Sequence, residues 1–317
     1  MFLSRARRAA PAICFSIGLA IAAAPAAAQP APAPPPAADP DRSVVSTVPV
    51  AINRMAVDVR IGGKGPFRFL VDTGAQNSVI GRVLAERLAL PAGQNAVVSG
   101  LAGILPVSTV HIDEISLGGR SFYSLLSPVL NERDMNADGI VGVDTLQGQR
   151  VLIDFRKQLL VIEESRRQGD AGYDIVVTAR RRSGQLVMTD ARVDGVPVNV
   201  VIDTGAESSI GNLALLTAMG RRGAKLEETE LTSVTGQTTK VSLARVRQLK
   251  IHGMTILNAT MAFVDAPPFR TLGLADKPAM LIGMRELRAF SRIAIDFRDR
   301  KVMFDVPDSP DLMPTLF

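Results

Sequence analysis

Asp72 and Asp203 are the residues best placed to do chemistry, because each ends an apolar run and opens the same four residues, Asp-Thr-Gly-Ala. The runs Phe69-Leu70-Val71 and Val200-Val201-Ile202 set each carboxylate at the edge of a core, where an unpaired charge is costly. Gly74 and Gly205 then let the backbone turn tightly and approach another segment. One such Asp often does no more than hydrogen-bond its own turn. Two of them brought together behave differently. Like charges about 3 Å apart do not both ionise easily, so the pair holds one shared proton and supplies a base and an acid at once. The base can activate a water while the acid donates to a carbonyl, which suits hydrolysis of a peptide bond with no cofactor, metal or covalent intermediate.

These aspartates must be positioned by a duplicated unit. Phe67 to Ser78 parallels Val198 to Ser209, and the two motifs stand 131 residues apart. Upstream, Met55 to Gly63 parallels Leu186 to Val196, a strand followed by a Gly-containing turn in both cases. Downstream, Ile153-Asp154-Phe155-Arg156 recurs as Ile295-Asp296-Phe297-Arg298. Ordered matches of this kind point to internal repetition. The second unit is longer, and the extra residues are placed around Asp265 to Thr271. Short alternating runs of Val, Ile and Leu between Gly, Asn, Asp and Pro predict an all-β chain. Helical patterning is confined to Arg82 to Leu90, Leu213 to Met219 and Met284 to Phe290. Two lobes are expected, residues 45–165 and 172–307, joined by a polar linker at 166–171 and followed by a tail at 308–317.

At these residues the sequence resembles the retroviral-type, or retropepsin-like, aspartic peptidases. Their signature is two apolar residues, Asp-Thr-Gly-Ala and, later, two apolar residues and Gly before a short helix. Leu70-Val71-Asp72-Thr73-Gly74-Ala75 is completed by Ile140-Val141-Gly142, and Val201-Ile202-Asp203-Thr204-Gly205-Ala206 by Leu281-Ile282-Gly283. The resemblance implies a bilobal acid-protease fold, two β-barrel lobes related by a pseudo-two-fold axis, fused in one chain. It implies that Asp72 and Asp203 are the catalytic dyad, that the Thr73 and Thr204 hydroxyls cross-link the motif loops, and that Gly74 and Gly205 approach the carboxylates. It also implies a flap on each lobe. The candidates are Val98 to Ile104, bent at Gly100 and Gly103, and Ser233 to Thr239, bent at Gly236. Closing flaps would exclude water and offer backbone hydrogen bonds to an extended peptide or protein substrate. Neither segment has the tyrosine of pepsin-like flaps, and Ala75 and Ala206 stand where pepsin-like enzymes have Ser or Thr, so activity at milder pH is expected. The competing reading is a non-catalytic peptide-binding protein, with carboxylates too far apart to share a proton or a cleft filled by the Pro267-Pro268 loop.

The remaining features narrow the setting. Arg5, Arg7 and Arg8, an apolar run from Ala12 to about Ala24 and Ala26-Ala27-Ala28 form an export signal over residues 1–28, with cleavage before Gln29. That run is shorter than the roughly 20 residues a spanning helix needs, so no stable membrane insertion is expected after processing. Residues 29–44 are an Ala/Pro-rich tether. The only cysteine, Cys14, leaves with the signal, so a periplasmic or secreted product would rely on its core alone. Loss of three arginines and no acids lowers the formal charge from +5 to +2. That balance, with Arg180-Arg181-Arg182 read as a solvated turn and only two Tyr and no Trp, gives no basis for nucleic-acid binding. His111 and His252 are read as strand or turn residues at matching places, not metal ligands. No G-x-S-x-G elbow supports a serine hydrolase. Asp138, Asp144, Asp154 and Asp296 are assigned to surfaces or turns, the last two with structural pairing at a lobe base. The short linker makes pairing of lobes within one chain cheap in entropy, so a monomer is expected.

Overall fold

The computed structural model describes residues 42–46, 48–49, 54–165, 172–221, 223 and 225–307. The expected signal, most of the tether, the linker and the tail lie outside the described residues. The first half contains β1 (Arg42–Ser46), β2 (Val48–Pro49), β3 (Met55–Ile61), β4 (Lys64–Val71) and β5 (Val79–Gly81), then α1 (Arg82–Arg87). It continues with β6 (Ala96–Gly100), β7 (Gly103–Val107), β8 (Thr109–Leu117), β9 (Arg120–Leu130), α2 (Glu132–Met135) and β10 (Gly139–Val141). It ends with α3 (Val143–Leu146), β11 (Gln149–Asp154) and β12 (Leu159–Glu164). The second half contains β13 (Ile175–Thr178), β14 (Arg180–Arg182), β15 (Gln185–Val193), β16 (Val196–Ile202), β17 (Ile210–Gly211) and α4 (Leu213–Ala218). After it come β18 (Glu227–Thr232), β19 (Thr238–Ile251), β20 (Met254–Phe263), α5 (Pro267–Thr271), β21 (Ala279–Ile282), α6 (Met284–Leu287), β22 (Arg292–Asp296) and β23 (Lys301–Asp305).

The chain is largely β, as the alternation predicts. In β3 the apolar positions are buried while Asp58 and Arg60 are exposed, and in β4 Phe67, Phe69, Leu70 and Val71 are buried while Arg68 is exposed. Pairing in the first half runs β3-β4-β10-β5-β9-β8, and β8 pairs back to β3, closing a six-stranded ring. The second half repeats the order as β15-β16-β21-β17-β20-β19, with β19 pairing back to β15. Closure removes the open edges that would otherwise invite association. In both rings the strand that carries the Asp at its end, β4 or β16, lies parallel to a short strand from far downstream, β10 or β21.

A third sheet, in the order β1-β12-β11-β22-β23-β13, joins the halves through antiparallel pairing of β11 with β22. The recurring Ile-Asp-Phe-Arg is explained here. The Asp154 and Asp296 side chains accept from the backbone N–H of Lys157 and Asp299, at 2.9 and 2.8 Å, and so cap the turns that follow β11 and β22. Asp296 is fully buried, not a surface carboxylate, and its cationic partner is Arg150 across the joint, at 3.0 and 3.1 Å. The Ser165 hydroxyl donates to the same carboxylate. Removing one member of a buried ion pair strands the other, so Arg150→Ala is expected to lower the unfolding free energy by about 3–5 kcal/mol in urea titrations. Arg150→Met tests whether volume alone suffices.

Three differences from the sequence reading have physical causes. β1 begins at Arg42, inside the stretch expected as tether, because Arg42 to Ser46 pair with β12. α1 stops at Arg87 because Ala89 adopts φ 51°, a left-handed residue that ends a helix. α2, α3 and α5 are four to five residues long, too short to show a helical period. α5 occupies the added segment of the second half, and Asn212 holds the loop that follows it by donating to the Leu274 and Lys277 carbonyls.

Candidate active site

Asp72 and Asp203 lie together. Each motif loop leaves its strand beside the parallel partner, with Asp72 N–H donating to the Val141 carbonyl and Asp203 N–H to that of Ile282, both at 3.0 Å. Asp72 Oδ1 accepts from the N–H groups of Gly74 and Ala75 at 2.8 and 3.1 Å, and Asp203 Oδ1 from those of Gly205 and Ala206 at 3.0 Å each. Each motif glycine packs on the carboxylate of the other loop, Gly74 on Asp203 and Gly205 on Asp72, so the two carboxylates lie close enough to influence each other's titration.

The loops are locked by reciprocal bonds between buried threonines. Thr73 donates its N–H to Thr204 Oγ1 at 3.0 Å and its hydroxyl to the Ile202 carbonyl at 2.9 Å. Thr204 donates its N–H to Thr73 Oγ1 at 3.3 Å and its hydroxyl to the Val71 carbonyl at 2.7 Å. No room remains for a side chain at the following residues. A Cβ on Gly74 would stand 2.7 Å from Asp203 Cγ, and one on Gly205 would stand 2.3 Å from Asp72 Cγ.

A second brace was not anticipated from the sequence. Gly142 and Gly283 pass so close to Asn77 and Ser208 that an added Cβ would be 2.5 Å from the backbone carbon. Their N–H groups donate to the hydroxyls of Ser78 and Ser209 at 3.0 and 3.1 Å. Those hydroxyls in turn donate to Asp144 at 2.7 Å and Glu286 at 2.6 Å. The signal was present: each serine stands six residues after its Asp, and an acid follows each closing glycine by two or three residues. Asp144 is therefore a loop-bracing carboxylate, and burial raises the pKa of Glu286.

Burial is also the main influence on the pair, pushing both pKa values up. For Asp203 the negative charge of Asp72 adds to burial, and its pKa rises to about 8. For Asp72 the Gly74 N–H and the positive charge of Arg54 oppose the rise. Both shifts favour retention of a proton by the pair as pH rises toward neutrality. A carboxyl whose folded pKa lies above its unfolded value stabilises the fold fully below the unfolded value, and that contribution is lost as pH rises through the folded one. Stability should therefore fall between about pH 4 and pH 8. Asp203→Asn is expected to reduce that slope and to raise the unfolding free energy at pH 8 by on the order of 2 kcal/mol, read from thermal melts across pH.

The carboxylates line a cavity of about 600 Å³, within the usual range for ligand sites. Val79 and Ile140 flank it from the first half, Ile210 and Leu281 from the second. Gly100, at the tip of the β6-β7 hairpin, also lines it, and the Ser233 to Gln237 turn between β18 and β19 contributes Ser233 and Val234. The two tips meet: a Cβ on Gly100 would stand 2.7 Å from Ser233 Oγ, and one on Gly103 would stand 3.1 Å from Gln237 Oε1. Gly236, at φ 77°, packs against Asp134 of α2. Leu101 packs on an apolar cluster of the second half and Val234 on one of the first.

A family model described as aspartyl protease matches residues 57–145 and, a second time, residues 189–285. The chain belongs to the aspartyl protease family. The family domain is duplicated in this aspartyl protease, and each matched segment contains one Asp-Thr-Gly-Ala and one closing glycine. No individual curated protein matches it significantly.

Among the described residues of the protease, no group of three or more His, Asp or Glu is arranged to hold a metal, and no helix is long and apolar enough to cross a membrane. The histidines do not occupy matching places. His111 is exposed near the start of β8, whereas His252 sits at φ 50° in the turn after β19 and contacts Asp190 at 2.9 Å. Arg54 and Gln185, which also line the cavity, were not singled out from the sequence.

Proposed function

We propose that this aspartyl protease is a retropepsin-like endopeptidase in which one chain supplies both halves of the active site. Asp72 and Asp203 form its catalytic dyad. The observation that carries the reading is that the two motif loops, locked by the reciprocal Thr73 and Thr204 bonds, set both carboxylates on one cavity, each against the glycine of the other loop. A binding protein would instead be favoured by separated carboxylates or a filled cleft.

The chain then comprises two barrel lobes related by a pseudo-two-fold axis, residues 45–165 and 172–307, and the repeated strand order and motif bonding support that symmetry. The β6-β7 hairpin and the 233–237 turn act as flaps over an extended substrate. Arg54 favours ionised Asp72, so Asp72 takes the proton of a water held between the carboxylates while protonated Asp203 donates to the scissile carbonyl. Attack gives a tetrahedral intermediate, and the proton gathered by the dyad passes to the leaving nitrogen as the C–N bond breaks. Thr73, Gly74, Thr204 and Gly205 keep the carboxylates in place. The basic limb of activity should follow loss of the Asp203 proton, so cleavage is expected at mildly acidic to neutral pH and to decline above about 8. The enzyme acts as an exported monomer on extended peptide or unfolded protein segments, with apolar side chains on either side of the cut.

Digestion of a random-peptide library at several pH values, read by mass spectrometry, tests this. New internal termini are expected. A library left intact at every pH would sink the peptidase reading.

A further inference from the structure

The two motif loops are nearly alike, but the cavity they share is not symmetric in charge. Arg54 stands 18 residues before Asp72, and Gln185 stands 18 residues before Asp203. Both line the cavity, so equivalent positions hold a cation on one side and a neutral amide on the other. Gln185 is committed to the fold, because it is buried and its Nε2 donates to the Gly74 carbonyl. Arg54 is not committed in the same way. Its Nη1 reaches the Met135 carbonyl only at 3.4 Å, and its Nε is buried with no hydrogen-bond partner among the described residues. A guanidinium that lines a substrate cavity and has one long hydrogen bond among the described residues suits a carboxylate, which it can bind through two parallel hydrogen bonds.

We propose that Arg54 is a specificity-determining residue that receives an acidic side chain of the substrate on the Asp72 side of the cleft. The inference rests on the peptidase reading and adds a direction to it: the substrate lies in the cleft with a Glu or Asp toward Arg54. Charge elsewhere in the cavity favours the same orientation. Glu207, on the second motif loop, is exposed, lines the cavity and repels an acidic side chain placed near it. In a partly dehydrated cavity the attraction to Arg54 exceeds what the same pair would gain at an open surface.

The test uses matched peptides cleaved by the intact enzyme, each carrying Glu or Gln at one position within four residues of the cut. At one position the Glu peptide is expected to have a kcat/KM at least about tenfold above its Gln counterpart, falling with added salt. In Arg54→Gln, which copies the residue of the second lobe, that ratio should approach one. The ratio is read within each protein, so a change in overall rate from the altered charge near Asp72 does not affect it. Equal rates for Glu and Gln at every position in the intact enzyme would overturn the inference without needing the variant, and so would a preference that survives in Arg54→Gln. If the intact enzyme cleaves neither peptide nor any library member, the peptidase reading falls and takes this inference with it.

Discussion

Asp72→Asn and Asp203→Asn each lower kcat/KM for a cleaved peptide by at least ~10³-fold, while the protein still unfolds in one cooperative transition. Asn keeps the shape of the side chain and can still accept the Gly74 and Ala75, or Gly205 and Ala206, N–H bonds through its amide oxygen. The threonine bonds between the loops do not involve the carboxylates and survive in both variants. What is lost is the ability to hold one proton between two carboxyl groups. Without Asp72 there is no base for water, and without Asp203 no acid for the carbonyl. The two losses should not add, since a dyad lacking one member is already idle, and the double variant should be about as slow as either single one. Full activity in either single variant would refute the paired-carboxylate mechanism.

Gly205→Ala is the second large effect, and it acts through space alone. The added methyl would lie 2.3 Å from Asp72 Cγ and as close to one of its oxygens, so the opposite carboxylate has to move. Gly205 does not adopt a left-handed φ, which separates crowding from backbone strain. A displacement of about 1 Å at reacting groups is expected to cost on the order of 10²-fold in kcat, and overpacking of the loops about 1–3 kcal/mol in stability. Gly74→Ala should behave alike, since its Cβ would meet Asp203 Cγ at 2.7 Å. Gly253→Ala is the control: nothing lies within 4 Å of its Cβ, so stability and rate should stay close to those of the parent. Normal kinetics in Gly205→Ala, measured beside that control, would mean the carboxylates are not held where the loops place them.

The motif pair was legible in the sequence because both halves must solve the same local problem with the same residues. Asp, Thr and Gly are each required by a specific contact, and the contact occurs twice. The alternation of β3 and β4 and the hairpin glycines were legible for the same reason, being local patterns. What escaped was set by distant partners. Arg42 joins a strand only because β12 lies beside it, and Asp296 is paired by Arg150, 146 positions away in sequence. The histidines were matched by residue type, whereas strand register places His252 in the turn after β19 and His111 inside β8. Arg54 and Gln185 went unnoticed because they differ, and a search for repetition overlooks the positions where two copies have diverged.

The most direct test is titration of the intact protein with a peptide whose scissile amide is replaced by a secondary hydroxyl, a mimic of the tetrahedral intermediate. The account predicts one inhibitor bound per chain and binding abolished in both Asp72→Asn and Asp203→Asn. One inhibitor per two chains, or affinity unchanged in either variant, would contradict an active site built from the two carboxylates of a single chain.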